Sequence, residues 1–161
     1  MRVVGEHIKA DTVILAAGPW SAGLAESAGV ALDAWPLRGQ LVALRPARPL
    51  LTRIVSWRKF YAVNKPDGTV IIGSTEEHSR FDARPTAEGV EKMLNIAQLM
   101  LHDLRDATLE RAWAALRSAT KDGLPVIGPA KGRPNLILAM GHNRTGILLT
   151  LITAEMVTQA L

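Results

Sequence analysis

Leu136-Ile137-Leu138-Ala139-Met140 runs into Gly141-His142-Asn143-Arg144-Thr145-Gly146, and an apolar segment from Ile147 to Leu161 follows. Five apolar residues, a loop bounded by two glycines and a segment of helical length predict a buried strand feeding a helix through a tight turn. Such a turn directs unpaired N–H groups and the positive end of the helix dipole at whatever lies above it. Gly141 and Gly146 would let that partner approach the backbone. The partner would be electron-rich: a phosphate, a carboxylate or the polarised C2 carbonyl of a flavin. Taken alone, the stretch favours the plainer alternative, a strand-to-helix connection with glycine for the turn.

The other end of the chain has a similar texture. Thr12-Val13-Ile14-Leu15-Ala16-Ala17 is a near-continuous apolar run, as in a parallel-sheet strand buried on both faces. It ends in Gly18-Pro19-Trp20-Ser21, ahead of a short helix over residues 22–29 capped by Gly29. Strand, glycine turn and helix make half of a nucleotide-binding unit. Between the ends the pattern shortens. Residues 37–44, 60–63 and 69–73 predict strands of an antiparallel meander, with Lys65-Pro66-Asp67-Gly68 turning between the second and third.

Pro85 and Thr86 open a helix whose apolar positions, from Val90 and Met93 through Ala97 to Leu104, follow the three-and-four spacing of an amphipathic helix lying on a sheet. A strand over residues 109–117 puts Trp113 and Arg117 on one side. Residues 120–129, punctuated by Gly and Pro, predict a loop. The expected fold class is α/β plus α+β. Residues 1–34 and 120–161 form part of a Rossmann-like domain, and residues 35–119 form an inserted antiparallel β domain with one covering helix.

A chain of 161 residues with 48% hydrophobic and 21% charged residues belongs to an ordered globular protein. The net charge of +4 comes without a basic run, and aromatics are 4% of residues, which argues against nucleic-acid binding. The absence of cysteine excludes disulfides, thiolate metal sites and a cysteine-tethered flavin. Arg2, Glu6, Lys9 and Asp11 leave no room for a signal-peptide core, and Glu155 interrupts the last helix well short of the roughly 20 residues that cross a bilayer. A cytoplasmic protein with no membrane span is expected.

Several chemistries fail on spacing. His7, His78, His102 and His142 never fall at metal-ligand intervals. The GxxxxG spacings from Gly18, Gly68 and Gly123 lack the lysine of a phosphate-binding loop, and no GxSxG elbow occurs. The adjacent Glu76 and Glu77 are expected at the surface.

Four features remain: the Gly18-Pro19-Trp20-Ser21 turn, Tyr61, the segment Arg117-x-x-Thr120-x-Asp122-Gly123-x-Pro125-x-Ile127-Gly128, and Gly141-His142-x-Arg144-x-Gly146-Ile147-Leu148-Leu149. With Leu37-Arg38-Gly39-Gln40, they resemble the FAD-dependent amine and amino-acid oxidases of the D-amino-acid oxidase superfamily, and within it most closely the glycine oxidases of the thiamine-thiazole pathway. The resemblance covers almost the whole chain in the family's order. It implies that residues 1–34 and 120–161 are the C-terminal part of an FAD-binding domain and that residues 35–119 bind substrate. It further implies that Arg117, Arg144 and Tyr61 meet the substrate carboxylate. Non-covalent FAD would lie against Gly18 and against Gly141, His142, Asn143, Arg144, Thr145, Gly146, Ile147 and Leu148. The implied partners are a small amino acid or amine and dioxygen, and no protein acid or base is implied.

The sequence departs from the family in lacking any GxGxxG, the turn that holds the FAD diphosphate. The expectation is therefore a fragment, a gene product whose partner half is supplied separately, or a remnant, in each case retaining FAD weakly or not at all by itself. Its apolar strands would be completed by an N-terminal half or by a second copy of the chain. Ser118 and Ala119 stand where many relatives have Pro and Gly, and Glu76 stands near a position that close relatives make apolar.

Overall fold

The computed structural model describes residues 2–3 and 6–161, with side chains from Ile8 onward. The strands are β1 (Arg2–Val3), β2 (Glu6–His7), β3 (Val13–Leu15), β4 (Ala34–Arg45), β5 (Val55–Trp57), β6 (Phe60–Asn64), β7 (Val70–Gly73), β8 (Thr108–Thr120), β9 (Val126–Ala130) and β10 (Arg133–Met140). The helices are α1 (Ser21–Ser27), α2 (Ala87–Met100) and α3 (Thr150–Gln159), and single 3-10 turns cover Gly18–Trp20 and His102–Leu104. The chain divides into two compact units: one from its two ends, Met1–Pro36 with Arg117–Leu161, the other Leu37–Leu116.

In the first unit a three-stranded sheet has the order β3-β10-β9. β10 pairs parallel with β3 and antiparallel with β9. Ile137, Leu138 and Met140 are buried, as the apolar run at the end of β10 requires. The run at residues 12–17 forms only the three-residue β3 and is not covered on both faces: β3 lies at the sheet edge and Ile14 is 46% exposed. β9 corrects the expected loop. Gly128 and Pro129 within it suppress the strand pattern, yet an edge strand tolerates a proline because its missing N–H need not join the ladder. α3 begins at Thr150, three residues beyond the expected start, because residues 146–149 are in turns.

The second unit is built on a five-stranded sheet of order β5-β6-β7-β4-β8. β5, β6 and β7 form the meander, and β4, first in the chain, lies between β7 and β8. Val42, Leu44, Ala62, Val70 and Ile72 pack with Met93 and Ala97 of α2, all buried. The helix starts where Thr86, in an extended conformation, accepts a hydrogen bond from Gly89 N–H at 3.1 Å. Its buried residues, Gly89, Met93 and Ala97, recur every four positions and face the sheet.

Candidate functional site

Parallel pairing places two turns side by side. Leu15 of β3 is in register with Leu138 of β10, and three residues further on the chain leaves the sheet at Gly18 and at Gly141 respectively. Both turns therefore sit at the carboxyl end of the parallel strands, the end at which open α/β sheets bind ligands. Gly18 has φ +53°, and a Cβ there would meet nothing within 4 Å, so the space above it is open. Gly141 has a different requirement. Its φ is +82°, and a Cβ would lie 2.6 Å from Thr120 Cγ2. Glycine at 141 is thus demanded by a left-handed backbone and by the chain's own threonine, rather than by an approaching partner.

The turn after Gly141 is organised internally. Asn143, with φ +46°, donates its N–H to the Ser118 carbonyl at 2.9 Å, and Thr145 N–H donates to the His142 carbonyl at 2.9 Å. The Thr145 hydroxyl donates to the same carbonyl at 2.8 Å, and His142 Nε2 lies 2.9 Å from Thr153 Oγ1 on α3. Asn143 and Thr145 N–H are therefore engaged within the chain, which narrows the row of free donors expected from His142 to Leu148. Among the described residues, no backbone carbonyl accepts from Gly146, Ile147 or Leu148. The Ile147 and Leu148 side chains beside them are 95% and 81% exposed. Unengaged N–H groups next to bare apolar side chains suit a flat, partly polar ring such as a flavin's, so this backbone fits the cofactor that the family resemblance implies.

β8 ends against this turn. Arg117 is half-buried near its end, and Ser118, Ala119 and Thr120 behind it are buried. The Ser118 hydroxyl accepts from Gly141 N–H at 3.2 Å while its carbonyl takes the Asn143 N–H, so one residue is bonded to the turn twice. The Thr120 hydroxyl donates to the Leu124 carbonyl at 2.7 Å and Asp122 Oδ1 accepts from Leu124 N–H at 3.0 Å, which folds the connection to β9. Arg117 and the exposed Arg144 thus sit one residue outside opposite ends of a single bonded latch. Ser118 was visible in the sequence only as a departure from relatives; the hydrogen bond that its hydroxyl accepts from the turn is a contact across 23 residues.

Tyr61 lies in the second unit, on β6, opposite Gly73 of β7 and Ser56 of β5. Its ring covers Gly73: a Cβ there would come within 2.8 Å of the tyrosine hydroxyl and 2.9 Å of Leu41 Cδ2. Lys59 at the β5–β6 hairpin tip pairs with Glu76 at 3.1 Å.

Glu77 is not the surface acid its sequence position suggested. Its carboxylate accepts from Arg38 Nε at 2.9 Å, Arg38 Nη2 at 2.6 Å and Gln40 Nε2 at 2.9 Å. Gln40, buried, also takes the Thr86 N–H on its Oε1 at 2.8 Å, so the network reaches the start of α2. Burial pushes the Glu77 pKa up, and the hydrogen bonds from Thr75, Arg38 and Gln40, with the Arg38 charge, more than offset it, leaving the pKa lowered.

Among the described residues no group of three or more His, Cys, Asp or Glu side chains could hold a metal ion, and no helix is long and apolar enough to cross a membrane. The family of FAD dependent oxidoreductases, DAO, matches residues 1–160, and the chain belongs to it. It is 36% identical over 154 residues to a glycine oxidase of Pseudomonas putida, covering 96% of this chain and 42% of that protein. It is 40% identical over 153 residues to a glycine oxidase of Pseudomonas aeruginosa, covering 92% and 42%. The crystal structure of glycine oxidase from Geobacillus kaustophilus superposes with a TM-score of 0.92 at 34% identity, over 98% of this chain and 43% of that one. The chain therefore spans about 42% of the length of the curated relatives it matches.

Proposed function

We propose that the chain is the substrate-binding part of a flavin-dependent amino-acid oxidase that oxidises glycine or a similar small amine. One observation supports this reading above others: the Ser118 latch places Arg117 and Arg144 on adjoining backbone at the carboxyl end of the parallel strands. A guanidinium fork takes a carboxylate in two parallel hydrogen bonds and so fixes the α-carbon. Arg117 and Arg144 are assigned that role. Gly18 and residues 141–148 are assigned to the flavin ring, with the N–H groups of Gly146, Ile147 and Leu148 offered to developing negative charge.

The chemistry that FAD supplies when bound is acceptance of a hydride from the α-carbon, with dioxygen as final acceptor and the imine hydrolysed to an oxo acid and ammonia beside hydrogen peroxide. The residues of this chain contribute alignment and electrostatics, and no protein base is needed when the amine is neutral.

A second reading is favoured by the absence of GxGxxG from the sequence: a non-catalytic fragment that holds FAD only with an N-terminal half. A relative of the sarcosine oxidases or D-amino-acid dehydrogenases would use the same anchors on another substrate or acceptor. The visible absorption spectrum of the chain with FAD, before and after anaerobic glycine, separates these. Retained flavin that bleaches supports the oxidase, and no retained flavin supports the fragment. Retained flavin that glycine leaves oxidised rules out glycine as substrate.

A further inference from the structure

We propose that Ser118 is a positioning residue that sets the direction of Arg144 relative to Arg117 and so tunes carboxylate affinity. The inference rests on the assignment of those two arginines to a substrate carboxylate. Its basis is the pair of bonds that join Ser118 to the turn, Gly141 N–H to the hydroxyl at 3.2 Å and Asn143 N–H to the carbonyl at 2.9 Å. A backbone carbonyl is available at position 118 whatever the side chain; the hydroxyl acceptor is not. Serine and threonine supply one in a buried space, and proline or alanine supplies none.

The hydroxyl matters because the turn it holds is conformationally soft. Gly141 and Asn143 both adopt positive φ, at +82° and +46°, within three residues. Glycine reaches negative φ as readily, so the peptide between Met140 and His142 has alternatives, and the bond from Gly141 N–H selects one. Arg144 follows directly on Asn143, so its direction depends on that choice. Arg117 precedes Ser118 near the end of β8, where Ser118, Ala119 and Thr120 are buried. The hydroxyl therefore fixes the end of the turn nearer the sheet, and the carbonyl bond fixes the end nearer Arg144.

The test is the dissociation constant of acetate, a carboxylate without the amine, measured by NMR titration of the whole 161-residue chain, its Ser118→Ala and Ser118→Thr variants and Arg117→Ala. Ser118→Ala should weaken acetate about five-fold, the equivalent of one net hydrogen bond of about 1 kcal/mol. Ser118→Thr, which retains the hydroxyl, should stay within about two-fold of the unsubstituted chain, a recovery that a merely space-filling role would not give. In the unsubstituted chain acetate should also slow hydrogen exchange at Gly141 N–H, a readout that needs no variant to fold. Acetate binding lost in Arg117→Ala but equal in Ser118→Ala, or Gly141 exchange unmoved by bound acetate, overturns the role of Ser118 while the carboxylate assignment stands. Acetate binding that is the same with and without Arg117 overturns both.

Discussion

Replacing Gly141 by alanine should destabilise the first unit through two separable effects. The first is backbone strain: φ of +82° is left-handed territory, where a Cβ costs about 1–2 kcal/mol. The second is crowding, since the new Cβ would lie 2.6 Å from Thr120 Cγ2. Thr120 cannot rotate away freely, because its hydroxyl is bonded to the Leu124 carbonyl at 2.7 Å. Overpacking of this kind costs about 1–3 kcal/mol, so the sum for Gly141→Ala is about 2–5 kcal/mol. Thr120→Ser removes the offending methyl and keeps the hydroxyl, at a cost of about 1 kcal/mol for the lost buried carbon. The double variant should recover the crowding part, giving a coupling of about 1–3 kcal/mol in urea unfolding followed by circular dichroism. Effects that add to within about 0.5 kcal/mol would refute the argument that Thr120 is what demands glycine at 141.

Four substitutions in the second unit have expected outcomes of their own. Glu77→Ala removes the main acceptor of an Arg38 side chain that is 11% exposed and should cost about 2–3 kcal/mol, seen as a lower urea midpoint at unchanged slope. Because folding lowers the Glu77 pKa from its ordinary 4.5, its contribution is complete above that value and is lost as pH falls through the folded one. Glu77→Gln should flatten the acid side of the stability profile. Thr86→Ala removes the cap of α2 and should cost about 1 kcal/mol, with loss of helical ellipticity on mild heating. Gly73→Ala must move the ring of the chain's single tyrosine, so its near-ultraviolet signal should change along with a loss of about 1–3 kcal/mol.

What the sequence made legible was what local pattern determines. The residues of β4, β6 and β7 carry apolar runs closed by turn residues, and α2 has both its cap and its period, so each was expected near its observed place. β5, with three residues, is too short to show a period, and β9 hides behind Gly128 and Pro129. Ile147, Leu148 and Leu149 look helical because they are apolar, yet they form turns ahead of α3. The glycines of the candidate site were legible and their reasons were not, since φ at 141 and the Thr120 methyl belong to the fold. Bonds that join distant positions, Ser118 to Gly141 across 23 residues and Arg38 to Glu77 across 39, leave no mark in local spacing.

The role proposed for Arg117 is to anchor the carboxylate of a small amino acid beside a flavin. The most direct test is the rate at which anaerobic glycine bleaches the visible band of the FAD-supplied chain and of its Arg117→Ala variant. Glycine should bleach the unsubstituted chain, and the Arg117→Ala variant should be slower by at least about 100-fold, the scale of a two-pronged charged contact of roughly 3 kcal/mol. Bleaching at equal rates in the two proteins would contradict that role.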